Sequence, residues 1–332
     1  MLQDIQLKPI TGTFISPLLG DTGINNWGLR EWEQDFRLMK AVGIDTVIVI
    51  RCEMERGGHC WSALDPRSTT WPEDPNILSM FFRLADEYGM NLFLGGPVGI
   101  TNLHVGDWRK ELDDTKRFYE KMFTLFGHHK CFTGLYNALE ALPWHFNFFD
   151  ILLGVAKFFR EIGPDKKTLI SPSFYGPHGD MITHYTPEQW IDIYGRYFFE
   201  PAAGLIDYCA PQDKFAVPDC RLGEIHESDI CEWYRETLKL FERCGIELWA
   251  NIETFQRPYV VPENAGFYRQ SDYRTLYMKL QAAAPYAAKL ITFEFDSCMS
   301  PQAEWGSSRR LLERYLEMIG RDPAVVGEIV DY

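Results

Sequence analysis

The stretch IELWANIETFQ, residues 246–256, reads as a β-strand that ends on an acid. Side chains on a strand alternate between its two faces. Trp249, Asn251 and Glu253 therefore share one face, and Leu248, Ala250 and Ile252 share the other. The aliphatic face suits packing against helices. The mixed face, with a carboxylate at its C-terminal end, calls for a different surrounding. Gly245 stands just before the strand, where a preceding helix would stop.

Working outward from this unit, the same strand-then-helix pattern recurs along the chain. Strands are predicted at residues 10–16, 45–53, 91–96, 132–140, 167–176, 205–213, 246–255 and 289–296. Helical spacing follows each of them. In residues 28–43, for example, Trp32, Phe36, Met39 and Val42 fall on one helical face, and Gly43 ends the run. Gly89, Gly163 and Gly245 stand at comparable helix ends. Eight strands alternating with eight helices predict a closed (β/α)8 TIM barrel of the α/β class. An open doubly wound sheet is the competing architecture, but neither GxGxxG nor GxxxxGK[ST] follows the first strand. No proline- or glycine-rich linker divides the chain, so residues 1–332 are expected to form one domain. Segments 18–27, 54–74, 214–228 and 256–270 are expected as insertions on one face of the barrel.

Composition narrows the function. The 332 residues are 46% hydrophobic, enough for a large core. A net charge of −14 repels phosphate backbones and argues against nucleic-acid partners. No apolar run is long enough to span a membrane. The N-terminus MLQDIQLKPITGTF has no basic segment followed by an apolar one, so a cytoplasmic location is expected. The eight cysteines are scattered without a CxxC pair and are read as buried free thiols. Aromatic residues make up 15% of the chain, a supply that a sugar-stacking groove would need.

In a (β/α)8 barrel the active site forms where strands end and the following loops begin. Strand ends here offer Ser16, Arg51, Cys52, Glu53, Asn137, Glu140, Ser173, Tyr175, Gln212, Asp213, Asn251, Glu253, Glu294 and Asp296. Alternation groups Tyr136, Ala138 and Glu140 on the fourth strand, and Thr292, Glu294 and Asp296 on the eighth. At least three strands are thus expected to aim a carboxylate at one mouth, where repulsion and desolvation raise at least one pKa. Glycoside cleavage uses such an arrangement. One carboxylic acid protonates the leaving oxygen, and a second carboxylate attacks the anomeric carbon or activates water. A gap of about 5–5.5 Å between them means retention, and a wider one inversion. Trp27, Trp61, Trp144, Trp249 and Trp305 lie near strand ends and are candidate stacking platforms for a carbohydrate substrate.

Glutamates ending strands four and seven resemble the superfamily of TIM-barrel retaining glycosidases. That resemblance implies Glu140 as acid/base and Glu253 as nucleophile. The superfamily usually has Asn directly before its strand-four glutamate, whereas YNALEA sets Asn137 three residues ahead of Glu140. More closely, GTFISP, LYNALEA, APQD, WANIETF and ITFEFDSCMSP are similar to an uncharacterised bacterial family of glycosidase-like barrels.

Each candidate has a plainer reading. Arg51 fits a buried ion pair as well as a partner for a site carboxylate. Asn251, Gln212 and Asp213 fit loop hydrogen bonding as well as sugar binding. A tryptophan is more often core than platform. The rival chemistry is a metal-dependent sugar isomerase or epimerase, since acids on several strands plus a histidine can hold a divalent ion. His59, Cys60, His178 and His184 are the nearest such residues, but no HxH, HExxH or tight Cys/His cluster occurs. No cofactor is called for, and no GxSxG elbow suggests serine chemistry. A non-catalytic carbohydrate-binding barrel is the remaining reading.

Overall fold

The computed structural model describes residues 7–18, 23–66, 74–139, 148–174, 185–213, 227–256, 269–304 and 306–330. Its centre is a closed barrel of eight parallel strands: β1 (Ile10–Ile15), β2 (Thr46–Val49), β3 (Asn91–Gly95), β4 (Phe132–Asn137), β5 (Lys167–Ile170), β6 (Tyr208–Cys209), β7 (Glu247–Glu253) and β8 (Lys289–Phe293). They follow one another around the barrel in chain order, and β8 closes on β1. One long helix follows each strand: α1 (Leu29–Ala41), α2 (Ile77–Glu87), α3 (Trp108–Phe126), α4 (Phe148–Ile162), α5 (Pro187–Tyr194), α6 (Glu227–Cys244), α7 (Tyr273–Ala283) and α8 (Ser308–Met318). The predicted (β/α)8 barrel is therefore present.

Local chemistry starts the helices. Asn76 accepts from the Ser79 N–H at 2.9 Å to open α2, and Asp107 from the Lys110 N–H at 3.1 Å to open α3. Thr186 and Gln189 cap each other around Pro187 at the start of α5. Gly245, at φ +69°, lets the chain turn out of α6 and into β7, a conformation that a side chain would oppose.

Register determines which residues look inward, because aligned residues on parallel neighbours point the same way. Phe14 pairs with Ile48, Ile48 with Phe93, Phe93 with Gly134 and Tyr136 with Leu169. Leu169 pairs with Tyr208, Tyr208 with Glu247, Trp249 with Lys289 and Ile291 with Gly12. This set faces the barrel interior. Ring contacts across the barrel agree: Phe14 meets Tyr136 at 5.3 Å, and Phe93 meets Trp249 at 6.1 Å, edge-on in both cases. Gly134 is small because Phe93 fills the space beside it; a Cβ there would run into the Phe93 ring.

Several boundaries depart from the sequence reading. β6 is two residues long rather than nine, and its line continues only as an isolated bridge at Gln212. Pro211 interrupts it, since proline has no N–H for the ladder. Past β2 the chain starts a separate hairpin, Glu53–Arg56 against His59–Ser62, with Pro97–Gly99 alongside. Within the expected insertion at 256–270, Phe255–Gln256 pairs antiparallel with Arg269–Gln270. Alternation on the eighth strand is the reverse of that expected. Phe293 faces inward beside Phe14, at 6.0 Å, while Thr292 bonds the Ile252 carbonyl on the outer side. A short helix, Phe295–Cys298, then ends the period-two pattern, after a cis peptide between Phe293 and Glu294. Of the described cysteines, Cys52, Cys131, Cys209, Cys244 and Cys298 are buried free thiols, and Cys60 is exposed.

Candidate active site

The C-terminal mouth of the barrel carries a continuous polar band from β5 to β7. Ser173, Gln212 and Asn251 are linked by parallel bridges that extend the shortened sheet. Gln212 accepts from the Ser173 hydroxyl at 3.1 Å and donates to the Ser171 carbonyl at 2.8 Å. Asn251 donates to the Ser171 hydroxyl at 3.3 Å, and that hydroxyl donates to the Ala210 carbonyl at 2.6 Å. Neighbouring side chains thus hold one another in fixed rotamers, which suits a surface that reads hydroxyl groups.

Glu253 is the last residue of β7, one inward step above Asn251, and is 2% exposed. It aligns with Phe293, so Glu294 stands just past it on the neighbouring strand line. Glu294 is also buried, and its carboxylate accepts from the Ser297 hydroxyl at 2.6 Å. Glu253 and Glu294 are thus two buried glutamates at the ends of neighbouring strands. Arg51 is half-buried just beyond β2. Trp61, 45% exposed, stands on the hairpin beside the rim, its ring 6.1 Å from that of His59. Glu140, Trp144, Tyr175, Trp305, His178 and His184 lie outside the described residues.

Four sequence candidates, Asp213, Asn137, Trp249 and Trp27, are placed elsewhere. Asp213 points outward from the barrel, where its carboxylate pairs with Lys279 of α7 at 2.9 Å, both side chains wholly buried. Asn137 spends its side-chain oxygen on the Leu139 N–H at 3.2 Å, closing the turn after β4. Trp249 faces inward but at the bottom of the barrel, stacked on Tyr208 at 4.3 Å and donating to Glu247 at 2.7 Å. Trp27 packs edge-on against Trp32 at 4.9 Å in the helical layer. Asp296 is wholly buried just past β8, within electrostatic reach of both Glu294 and Asp35 of α1. Burial, reinforced by Glu294 and Asp35, pushes its carboxyl well above the ordinary range.

Residues that the sequence reading passed over include Lys279, Asp35 and Ser171. Two left a signal. Lys279 sits in the apolar stripe Leu276, Lys279, Leu280, Ala283, and Asp35 lies beside Trp32, Phe36 and Met39. A charge at a core position of an amphipathic helix asks for a buried partner.

Potential metal ligands gather away from the mouth. Among the described residues, Asp86, His129 and Cys131 form the one such group, with ligand atoms within 4.8 Å of each other. They stand where α2 ends and β4 begins, at the N-terminal end of the barrel. There Asp86 already bonds His129 at 2.7 Å and the Cys131 N–H at 2.7 Å.

Comparison with known proteins follows the same lines. Residues 10–305 match the family described as Domain of unknown function (DUF4434). The chain belongs to the DUF4434 family. The expected membership of a glycosidase-like barrel family is thereby borne out. No curated protein matches this DUF4434 chain. Among solved structures, it is similar to a Bacteroides thetaiotaomicron protein described as a "putative alpha-L-fucosidase". The two share 27% identity at a TM-score of 0.80, over 95% of this chain and 94% of that one. The endo-1,4-beta-D-mannanase of Thermotoga petrophila matches at 10% identity and a TM-score of 0.56, over 86% of this chain and 88% of that one. The family 1 beta-glucosidase of Thermotoga maritima matches at 13% and 0.50, over 88% and 90%. These last two share the fold. The DUF4434 chain is therefore glycosidase-like in architecture. Among the described residues, no helix is long and apolar enough to cross a membrane.

Proposed function

We propose that the protein is a retaining glycoside hydrolase, with Glu253 as nucleophile and Glu140 as general acid/base. The observation that carries this reading is the position of Glu253. It is a buried carboxylate at the inward-facing end of β7, next to a band of fixed amides and hydroxyls. The likeness to the Bacteroides protein, at 27% identity over nearly the whole chain, supports the same reaction class.

In the proposed cycle Glu253 attacks the anomeric carbon as the glycosidic bond breaks. Glu140 gives its proton to the leaving oxygen. The resulting ester between sugar and Glu253 is then cleaved by water, whose proton returns to Glu140. Ser173, Gln212 and Asn251 bind sugar hydroxyls, Arg51 approaches from the end of β2, and Trp61 offers a stacking face at the rim. Glu294 orients the substrate or its carboxylate neighbour. Tyr175 and Trp305 remain candidates for substrate contact on sequence grounds.

The test is a panel of aryl glycosides that includes α-L-fucosides, run with the wild-type protein and with Glu253→Gln and Glu140→Gln. Hydrolysis of at least one member is expected, with a loss of at least about a thousandfold in kcat for Glu253→Gln. Equal hydrolysis by that variant would remove the assignment.

A further inference from the structure

We infer that Lys279 and Asp213 are a positioning pair for Glu253, holding the peptide groups on both sides of its Cα so that its side chain is delivered into the mouth. The inference rests on the proposed role of Glu253 for its catalytic meaning, but its geometry stands apart from that role.

The need for such a pair comes from the shortness of β6. The β6–β7 ladder covers only Tyr208 with Glu247 and Cys209 with Leu248. One more rung follows: the Asn251 N–H donates to the Pro211 carbonyl, and the Asp213 N–H to the Asn251 carbonyl, each at 3.3 Å. The next peptide groups on that side belong to Glu253, two residues further on. Buried peptide groups require partners. Side chains supply them here. The Asp213 carboxylate accepts from the Glu253 N–H at 3.4 Å, and the Lys279 ammonium donates to the Glu253 carbonyl at 2.9 Å. The same ammonium donates to Asp213 at 2.9 Å. An ion pair thus stands at the level of the next rung and bonds both peptide groups.

The placement argues for orientation over bulk stability. An ion pair with both side chains wholly buried is costly to desolvate, and apolar side chains of the same volume would fill the gap at lower cost. What apolar side chains could not do is grip an N–H and a C=O at once. The grip also ties three elements to one residue: the end of the β6 line, the end of β7 and the middle of α7. A carboxylate that must meet an anomeric carbon tolerates little displacement, since about 1 Å of misplacement can cost a hundredfold in rate.

The experiment compares Lys279→Met with the charge-neutral double variant Asp213→Leu/Lys279→Met, which leaves no lone buried charge if the single variant folds poorly. Two readouts are taken on the variants that melt cooperatively. The first is hydrogen–deuterium exchange in a peptide covering residues 248–256. Uptake there is expected to rise at least about tenfold in rate, with the β1 and β4 peptides unchanged. Unchanged uptake would overturn the positioning role whether or not the protein cleaves glycosides. The second is steady-state kinetics on the best aryl glycoside. A fall of about thirtyfold or more in kcat with KM within about threefold is expected, and the double variant should lose no more than the single. If Glu253→Gln is inactive while folded pair variants keep kcat within about threefold, this inference fails and the nucleophile reading stands. If Glu253→Gln stays active, the nucleophile reading fails, and the exchange result alone decides the backbone grip.

Discussion

Asp35, on α1, and Asp296, just past β8, place two carboxyl groups in one compartment that solvent does not reach. Burial lifts the Asp35 pKa from the ordinary 3.8 to about 7, and the nearby Ser300 hydroxyl offsets this only in part. Near neutral pH this acid is balanced between its neutral and charged forms.

A pH dependence of stability follows from Asp35. Its folded-state pKa lies above its unfolded value, so the folded state binds the extra proton between about pH 4 and 7. The stability tied to that proton is complete below pH 4 and is lost as pH rises through 7. The full loss is on the order of 4 kcal/mol. Asp35→Asn should come within about 1 kcal/mol of the wild type at pH 4.5 and exceed it by about 4 kcal/mol at pH 8.5, read from urea midpoints. Parallel curves for the two proteins would show that Asp35 is not the titrating group.

Asp207 behaves in the opposite sense. Burial acts to raise its pKa, but the Thr168 N–H, Lys167 and Arg160 outweigh it and hold the carboxyl below the ordinary aspartate value. It accepts from the Thr168 N–H at 2.9 Å and from Arg160 at 2.7 Å, tying the approach to β6 to the start of β5. Because the folded pKa is depressed, its contribution is present above about pH 4 and is lost as pH falls below that. Asp207→Asn should cost about 1–3 kcal/mol at pH 7 and much less at pH 3, with activity per folded molecule unchanged. An equal cost at both pH values would contradict this.

Two tryptophans should behave as opposites. Trp249, stacked on Tyr208 at the bottom of the barrel, should cost about 3–5 kcal/mol when cut to alanine, while Trp249→Phe should leave KM unaltered. Trp61, 45% exposed on the rim hairpin, should change stability by less than about 0.5 kcal/mol as alanine. Its loss should raise KM about five- to tenfold, roughly 1 kcal/mol of stacking. A large KM change from Trp249→Phe, or none from Trp61→Ala, would reverse these placements.

The barrel was legible because its elements obey local rules. Thr46–Val49 is a β-branched run, and α1 stops at Ala41, just before the Gly43 predicted to end it. β7 was read correctly as well, since Trp249, Asn251 and Glu253 do face inward. The eighth strand misled because Phe293, an aromatic, fills the interior, and because helix Phe295–Cys298 ends the alternation that would have aligned Asp296 with Glu294. Asp213 misled for a different reason. Its partner, Lys279, is 66 residues away, and only the closed barrel brings α7 against the end of β6. Strand-end position alone does not say whether an acid faces the mouth or the helices. A one-residue difference, Gln212 inward and Asp213 outward, decides it.

The most direct test of the account is to trap the sugar on the protein. A 2-deoxy-2-fluoro aryl glycoside matched to the best substrate should inactivate the wild-type protein and leave a stable ester, located by peptide mass spectrometry. The account predicts the label on Glu253, with the first-formed product of the ordinary substrate keeping its anomeric configuration. A label on any other carboxylate, or a product of inverted configuration, would contradict it.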